Sequence, residues 1–95
     1  MKHHIIVKFN DTVTDKGRIA REALALFSEL KGKNGIHDVQ VKMNCITREN
    51  RYDMMIIVDM DKDALCFYDD SDQHKKWKKE YACYILSKAI FDSEN

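Results

Sequence analysis

The 95-residue chain has no proline, only three glycines and one tryptophan, and its sixteen Lys and Arg balance sixteen Asp and Glu. Zero net charge removes any overall drive toward nucleic acid or a membrane surface. No apolar run approaches the about 20 residues needed to cross a bilayer. Even the aliphatic stretch Met54-Met-Ile-Ile-Val58 is far too short. The start, Met1-Lys-His-His, carries no apolar signal core, so a cytoplasmic location is expected. Cys45, Cys66 and Cys83 form no CxxC pair. Lying among apolar neighbours, they are expected as small buried hydrophobes in a reducing compartment. There is no internal repeat, linker or low-complexity tract.

What is present is a globular composition, 44% hydrophobic and 34% charged. The length predicts one domain over residues 1–95. A domain of this size hides only about 60–65% of its unfolded surface, so a partner protomer would help it.

His3 to Phe9 reads as a strand, with His3, Ile5, Val7 and Phe9 on one face and His4, Ile6 and Lys8 on the other. Its middle is apolar on both faces, which predicts that both sides are covered. Thr14 or Asp15 is the expected cap of a helix running to Lys31, in which Ile19, Ala23, Phe27 and Leu30 recur at helical spacing. Gly32-Lys-Asn-Gly35 supplies its left-handed ending. A second strand follows through Val39, Val41, Met43 and Cys45, alternating with Gln40, Lys42 and Asn44 as a half-exposed edge does. Tyr52 to Met60 reads as a third strand, again apolar on both faces at its centre. Asp61 or Asp63 caps a short helix reaching about Asp69, and Ser71 or Asp72 opens another in which Trp77, Tyr81, Tyr84 and Ile85 share a face. Leu86 to Asp92 is the expected last strand.

The order β-α-β-β-α-β is the ferredoxin-like arrangement of an α+β fold, with an antiparallel sheet whose first and third strands lie in the middle. Helices cover one sheet face only. A second copy of the chain, packed sheet to sheet, is the economical cover for the other, giving a homodimer.

The stretch Lys2-His3-His-Ile-Ile-Val-Lys8-Phe9, then Gly35-Ile36 with Val39, Tyr52-Asp before an apolar run, Asp61-Lys-Asp-Ala-Leu65, Tyr68 with His74, and Phe91-Asp92 together resemble the stress-responsive A/B barrel domain family, also called dimeric α/β-barrel proteins. The likeness covers essentially the whole chain through combined spacing. The chain departs at Ser71-Asp-Gln-His74, where many members carry His-Pro-Ala-His. The resemblance implies two protomers forming a dimeric α/β barrel. It also implies kinship with cofactor-free oxygenases and with a plant polyketide cyclase, olivetolic acid cyclase. In that cyclase the histidine matching His74 acts as a base, assisted by the tyrosine matching Tyr68, and the residue matching His3 lies in the same pocket.

Read from the residues alone, His74 sits in the first turn of a helix, where the dipole favours neutral imidazole, the form a general base needs. Tyr68 could hydrogen-bond a carbonyl or enolate oxygen. The plainer account is a polar helix-start histidine beside a core-edge tyrosine. His3, Ile5 and Val7 on one strand face, with Phe27 and Trp77, are the candidate walls of a small-molecule pocket between sheet and helices. The acids Asp59, Asp61, Asp63 and Asp70 mimic a calcium loop, but Ala64 stands where glycine is required and the bidentate glutamate is absent, so no metal is expected. Lys75, Lys76, Lys78 and Lys79 around Trp77 read as a solvated face, so neither nucleic acid nor membrane is an expected partner. No cofactor is expected. Two functions stand: a homodimer binding a small apolar or carbonyl-bearing compound with possible cofactor-free proton transfer, of lyase, cyclase or oxygenase type, or a non-catalytic dimeric stress or interaction protein whose pocket is filled by its own side chains.

Overall fold

The computed structural model describes residues Met1–Asn95. In chain order it has β1 (Lys2–Phe9), α1 (Lys16–Ser28), β2 (Ile36–Met43), β3 (Met54–Met60), α2 (Leu65–Asp70), α3 (Asp72–Tyr81) and β4 (Ile85–Ser93). Short 3₁₀ turns at Lys62–Ala64 and Ala82–Tyr84 lead into α2 and β4. The four strands form one antiparallel sheet in the order β2-β3-β1-β4. The fold is ferredoxin-like, and the two doubly apolar strands are its centre.

Side-chain alternation sorts the sheet into two faces. His3, Ile5, Val7 and Phe9 of β1 and Met54, Ile56, Val58 and Met60 of β3 are buried beneath the helices. They meet Ile19, Ala23, Phe27 and Leu30 of α1 and its following turn, and Tyr68 and Trp77 from α2 and α3. On the opposite face Ile6, Met55 and Ile57 are only half-buried and Phe91 is 60% exposed.

Several expected boundaries move, each for a local reason. Asp15 caps α1, its carboxylate accepting the Arg18 N–H at 3.0 Å. The helix stops at Ser28, short of Lys31. Beyond it the Leu30 and Lys31 N–H groups reach back only three residues, to Phe27 O and Ser28 O. β2 ends at Met43 instead of Cys45, where the Asn44 side chain accepts the Ile46 N–H at 2.9 Å and turns the chain. β3 begins at Met54, not Tyr52. Asp53 is diverted to accept the Phe9 N–H at 2.8 Å and to pair with Lys16 Nζ at 3.0 Å. α3 ends at Tyr81. Tyr84 and Ile85 continue its spacing but lie in a 3₁₀ turn and a strand. The cysteines are a correction. All three are exposed, because Cys45 lies past the end of β2, Cys66 on the outer side of α2, and Cys83 in the turn before β4.

Gly35 is the one glycine whose lack of a side chain the packing demands. Its φ is +88°, and a Cβ there would lie 3.0 Å from Asp61 Oδ2 and 3.2 Å from the Ala64 Cβ. Its carbonyl accepts the Asp61 N–H at 2.9 Å, tying the start of β2 to the end of β3.

Two stability predictions follow from this packing. Phe27→Ala removes a fully buried ring and is expected to cost about 3–5 kcal/mol, read as a lower urea midpoint. Asp53 provides the pH dependence. Burial alone would raise its carboxyl, but the Phe9 N–H and the Lys16 ammonium outweigh it and hold it below the usual carboxylate range. A lowered folded-state value means that the stabilisation is present above the unfolded-state value of about 4 and is lost as the pH falls through the folded-state value. The urea midpoint of the wild type is therefore expected to exceed that of Asp53→Asn at pH 7 and to converge on it by pH 3.

Candidate functional site

The chain's punctuation builds the corner where α2 meets α3. Ser71 is the last cap of α2 and the first of α3, with extended backbone at φ −67° and ψ 150°. Its hydroxyl donates to Tyr68 O at 2.7 Å and accepts the His74 N–H at 3.1 Å. One residue thus closes one helix, opens the next, and joins the backbones of Tyr68 and His74. Asp72, also in the first turn of α3, complements the positive end of the helix.

The side chains then converge. The Tyr68 ring is 4.7 Å from the His74 ring and 5.0 Å, edge-on, from the His3 ring. On its other side it stacks on Phe27 at 6.2 Å, and Phe27 meets Trp77 at 5.7 Å. The structure therefore brings together His3, Phe27, Tyr68, His74 and Trp77 from four elements.

Each imidazole is oriented by a partner that can only accept. His3 Nδ1 lies 2.6 Å from Asp92 Oδ1, and His74 Nδ1 lies 3.1 Å from Asp69 O. A carboxylate or carbonyl oxygen needs a proton from the ring, so in each neutral histidine Nδ1 is the donor and Nε2 keeps its lone pair. Asp92 also belongs to this corner, although no local sequence signal places it there. Its position in the strand alternation was visible, but its pairing with His3 depends on the register of β4 against β1, where His3 stands opposite Asp92.

Tyr68 is 0% exposed, and its hydroxyl is the one buried side-chain polar atom without a hydrogen-bond partner. Burial, with smaller contributions from the Asp69 and Asp92 charges, pushes its phenol well above the ordinary value, so it stays protonated as a donor. Tyr81, stacked 4.8 Å from Trp77, is likewise pushed up to about 12, by partial burial and by donating to Glu22 Oε1 at 2.7 Å.

The expected open pocket between sheet and helices is not found. Ile5, Val7 and Phe27 are packed into the core, and none of the five cavities is lined by them, His3, Tyr68 or His74. The aromatic rings fill the space themselves. Of the expected wall residues only Trp77 borders a cavity, one of about 240 Å³ beside β4. No cluster of three or more His, Cys, Asp or Glu is spaced to hold a metal. No helix is long and apolar enough to cross a membrane.

No family model matches the chain, and no curated protein does. Solved structures do. A dimeric ferredoxin-like protein of unknown function from Bacteroides fragilis is 22% identical over 99% of this chain and 94% of its own, with a TM-score of 0.70. A dimeric ferredoxin-like protein of unknown function from Thermobifida fusca is 18% identical over 95% of this chain and 85% of its own, at 0.76. A dabb family protein with a ferredoxin-like fold from Mesorhizobium loti is 10% identical over 99% of this chain and 94% of its own, at 0.67. At these identities the likeness establishes the fold.

The partnerless hydroxyl has a measurable consequence. Tyr68→Phe deletes a buried donor while keeping the ring and is expected to stabilise the protein by about 1 kcal/mol, seen as a higher urea midpoint. A lower midpoint would show that the hydroxyl is satisfied in solution.

Proposed function

We propose that the chain is one protomer of a homodimer of the stress-responsive A/B barrel kind that takes a small carbonyl-bearing or aromatic compound at the His3–Tyr68–His74 corner and moves a proton on it without a cofactor. The observation that carries this reading is the buried Tyr68 hydroxyl, lacking a partner and flanked by two imidazoles. A buried donor without an acceptor costs about 1–3 kcal/mol, which a ligand oxygen would recover. In this reading His74 Nε2 takes a proton from the carbon beside the carbonyl. The Tyr68 O–H donates to the oxygen on which negative charge develops. His3, held by Asp92, contacts the ligand. Because the corner is filled by its own rings, the α2–α3 turn opens to admit the compound.

The dimer reading draws on the half-buried apolar face of β1 and β3, which the helices leave uncovered, and on relatives described as dimeric. The filled corner favours the second reading, a non-catalytic dimer whose pocket is occupied by Tyr68, Phe27 and Trp77.

Wash-out of the methyl protons of acetophenone in D₂O, followed by NMR, separates the two. Wild type is expected to accelerate exchange and His74→Ala to lose about 10²-fold or more of it while keeping its circular dichroism. Equal exchange in both proteins would remove His74 as the base, and no acceleration by wild type would leave the non-catalytic dimer. Light scattering at micromolar concentration is expected to give twice the protomer mass.

A further inference from the structure

The helix layer leaves β4 uncovered. Lys88, Ile90 and Asp92 alternate along this strand opposite Val7, Ile5 and His3, and so lie on the helix-side face. Yet Ile90 is 50% exposed on the face where its neighbour Ile5 is buried. The result is a strip of β4 that the helices leave open. One end is the His3–Asp92 pair beside Tyr68. The other is the cavity of about 240 Å³ lined by Trp77, Lys78, Ala82, Ile85 and Lys88. Asp92 lies four residues along the strand from Lys88, about 13 Å at about 3.3 Å per residue.

The far end is chemically distinctive. Two lysines border a cavity whose other walls are an indole, an alanine and an isoleucine. Neither Lys78 nor Lys88 has a carboxylate within ion-pair distance, whereas Lys75 and Lys76 of the same helix hold Asp70 at 3.7 Å and Glu80 at 3.8 Å. Two unneutralised ammonium groups at the mouth of an apolar recess select an anion with an apolar body. A neutral compound gains nothing from them.

We infer that the compound taken by this protein is an elongated apolar acid, its carboxylate held between Lys78 and Lys88, its body lying against Trp77, Ile85 and Ile90, and its reacting end directed to Tyr68 and His74. This rests on the reading of that corner as the site and adds the substrate class. Ile90, half exposed between the two ends, offers apolar contact to a chain or ring system, and the acid group supplies orientation by fixing which end reaches the histidines.

Trp77 is the only tryptophan and borders the recess, so its fluorescence reports occupancy directly. Octanoate, below its micellar concentration, and the uncharged octanamide are titrated against the full chain, its Lys78→Gln/Lys88→Gln double variant, and His74→Ala. Octanoate is expected to change the Trp77 emission saturably and to bind more tightly than octanamide, with an affinity that falls as salt is added. The double variant is expected to bind octanoate about tenfold more weakly and octanamide within twofold of wild type. Both lysines are solvent-exposed, so the glutamines leave the core intact. Equal affinity for acid and amide in wild type overturns the inference, as does a double variant that changes both ligands alike. Preference for the acid that persists in His74→Ala supports it whatever acetophenone exchange shows. Loss of exchange in His74→Ala without any preference for the acid keeps the proton-transfer reading and removes this one.

Discussion

The structure depends on a mismatch between two central strands that are apolar on both faces and a helix layer that covers only one of them. Everything on the covered side follows from closing that gap with large side chains. Three helices span it, and the Phe27 ring of α1 packs between Tyr68 of α2 and Trp77 of α3. The uncovered side inherits Ile6, Met55 and Ile57 half-exposed. No element of the fold lies across them, and that is the physical case for a cover from a second copy.

Filling the core with aromatic rings has a cost where one ring is polar at its tip. Tyr68 contributes a large apolar surface, but its hydroxyl is carried into the interior with no acceptor. Every other buried side-chain polar atom is satisfied. His3 has Asp92, and Ser71 has both the Tyr68 carbonyl and the His74 amide. A core selected for packing alone would place phenylalanine at residue 68. In the proposed function this hydroxyl, between two oriented imidazoles, is where local stability and site chemistry pull in opposite directions.

The fold was largely legible because its signals are local. The double-faced apolar runs at Ile5–Val7 and Met54–Val58 marked the central strands, and the candidate caps Thr14 or Asp15 and Ser71 or Asp72 marked two helix starts, at which Asp15 and Ser71 are the caps. The helix ending at Tyr81 was not legible, because Tyr84 and Ile85 share the spacing of Trp77 and Tyr81 although a 3₁₀ turn and a strand claim them. The exposure of the cysteines is not legible for a related reason: apolar neighbours in sequence do not decide which way a loop or helix residue faces. Within the candidate site, Tyr68 and His74 were visible as residues six apart across a break. The pairing of His3 with Asp92 joins the two ends of the chain through strand register, which no local pattern encodes. Whether the pocket is open or filled stayed undecided between the two readings, since composition does not say whether rings line a space or occupy it.

Ser71 gives the corner its handedness. At about 100° per residue, six residues of unbroken helix turn through about 600°, leaving side chains at residues 68 and 74 about 120° apart around one axis, on different faces. The single extended residue between α2 and α3 resets that phase, so that rings which helical winding would separate lie 4.7 Å apart. The meeting of phenol and imidazole is thus a property of one backbone angle, and a serine that ends one helix while starting the next is what holds that angle in place.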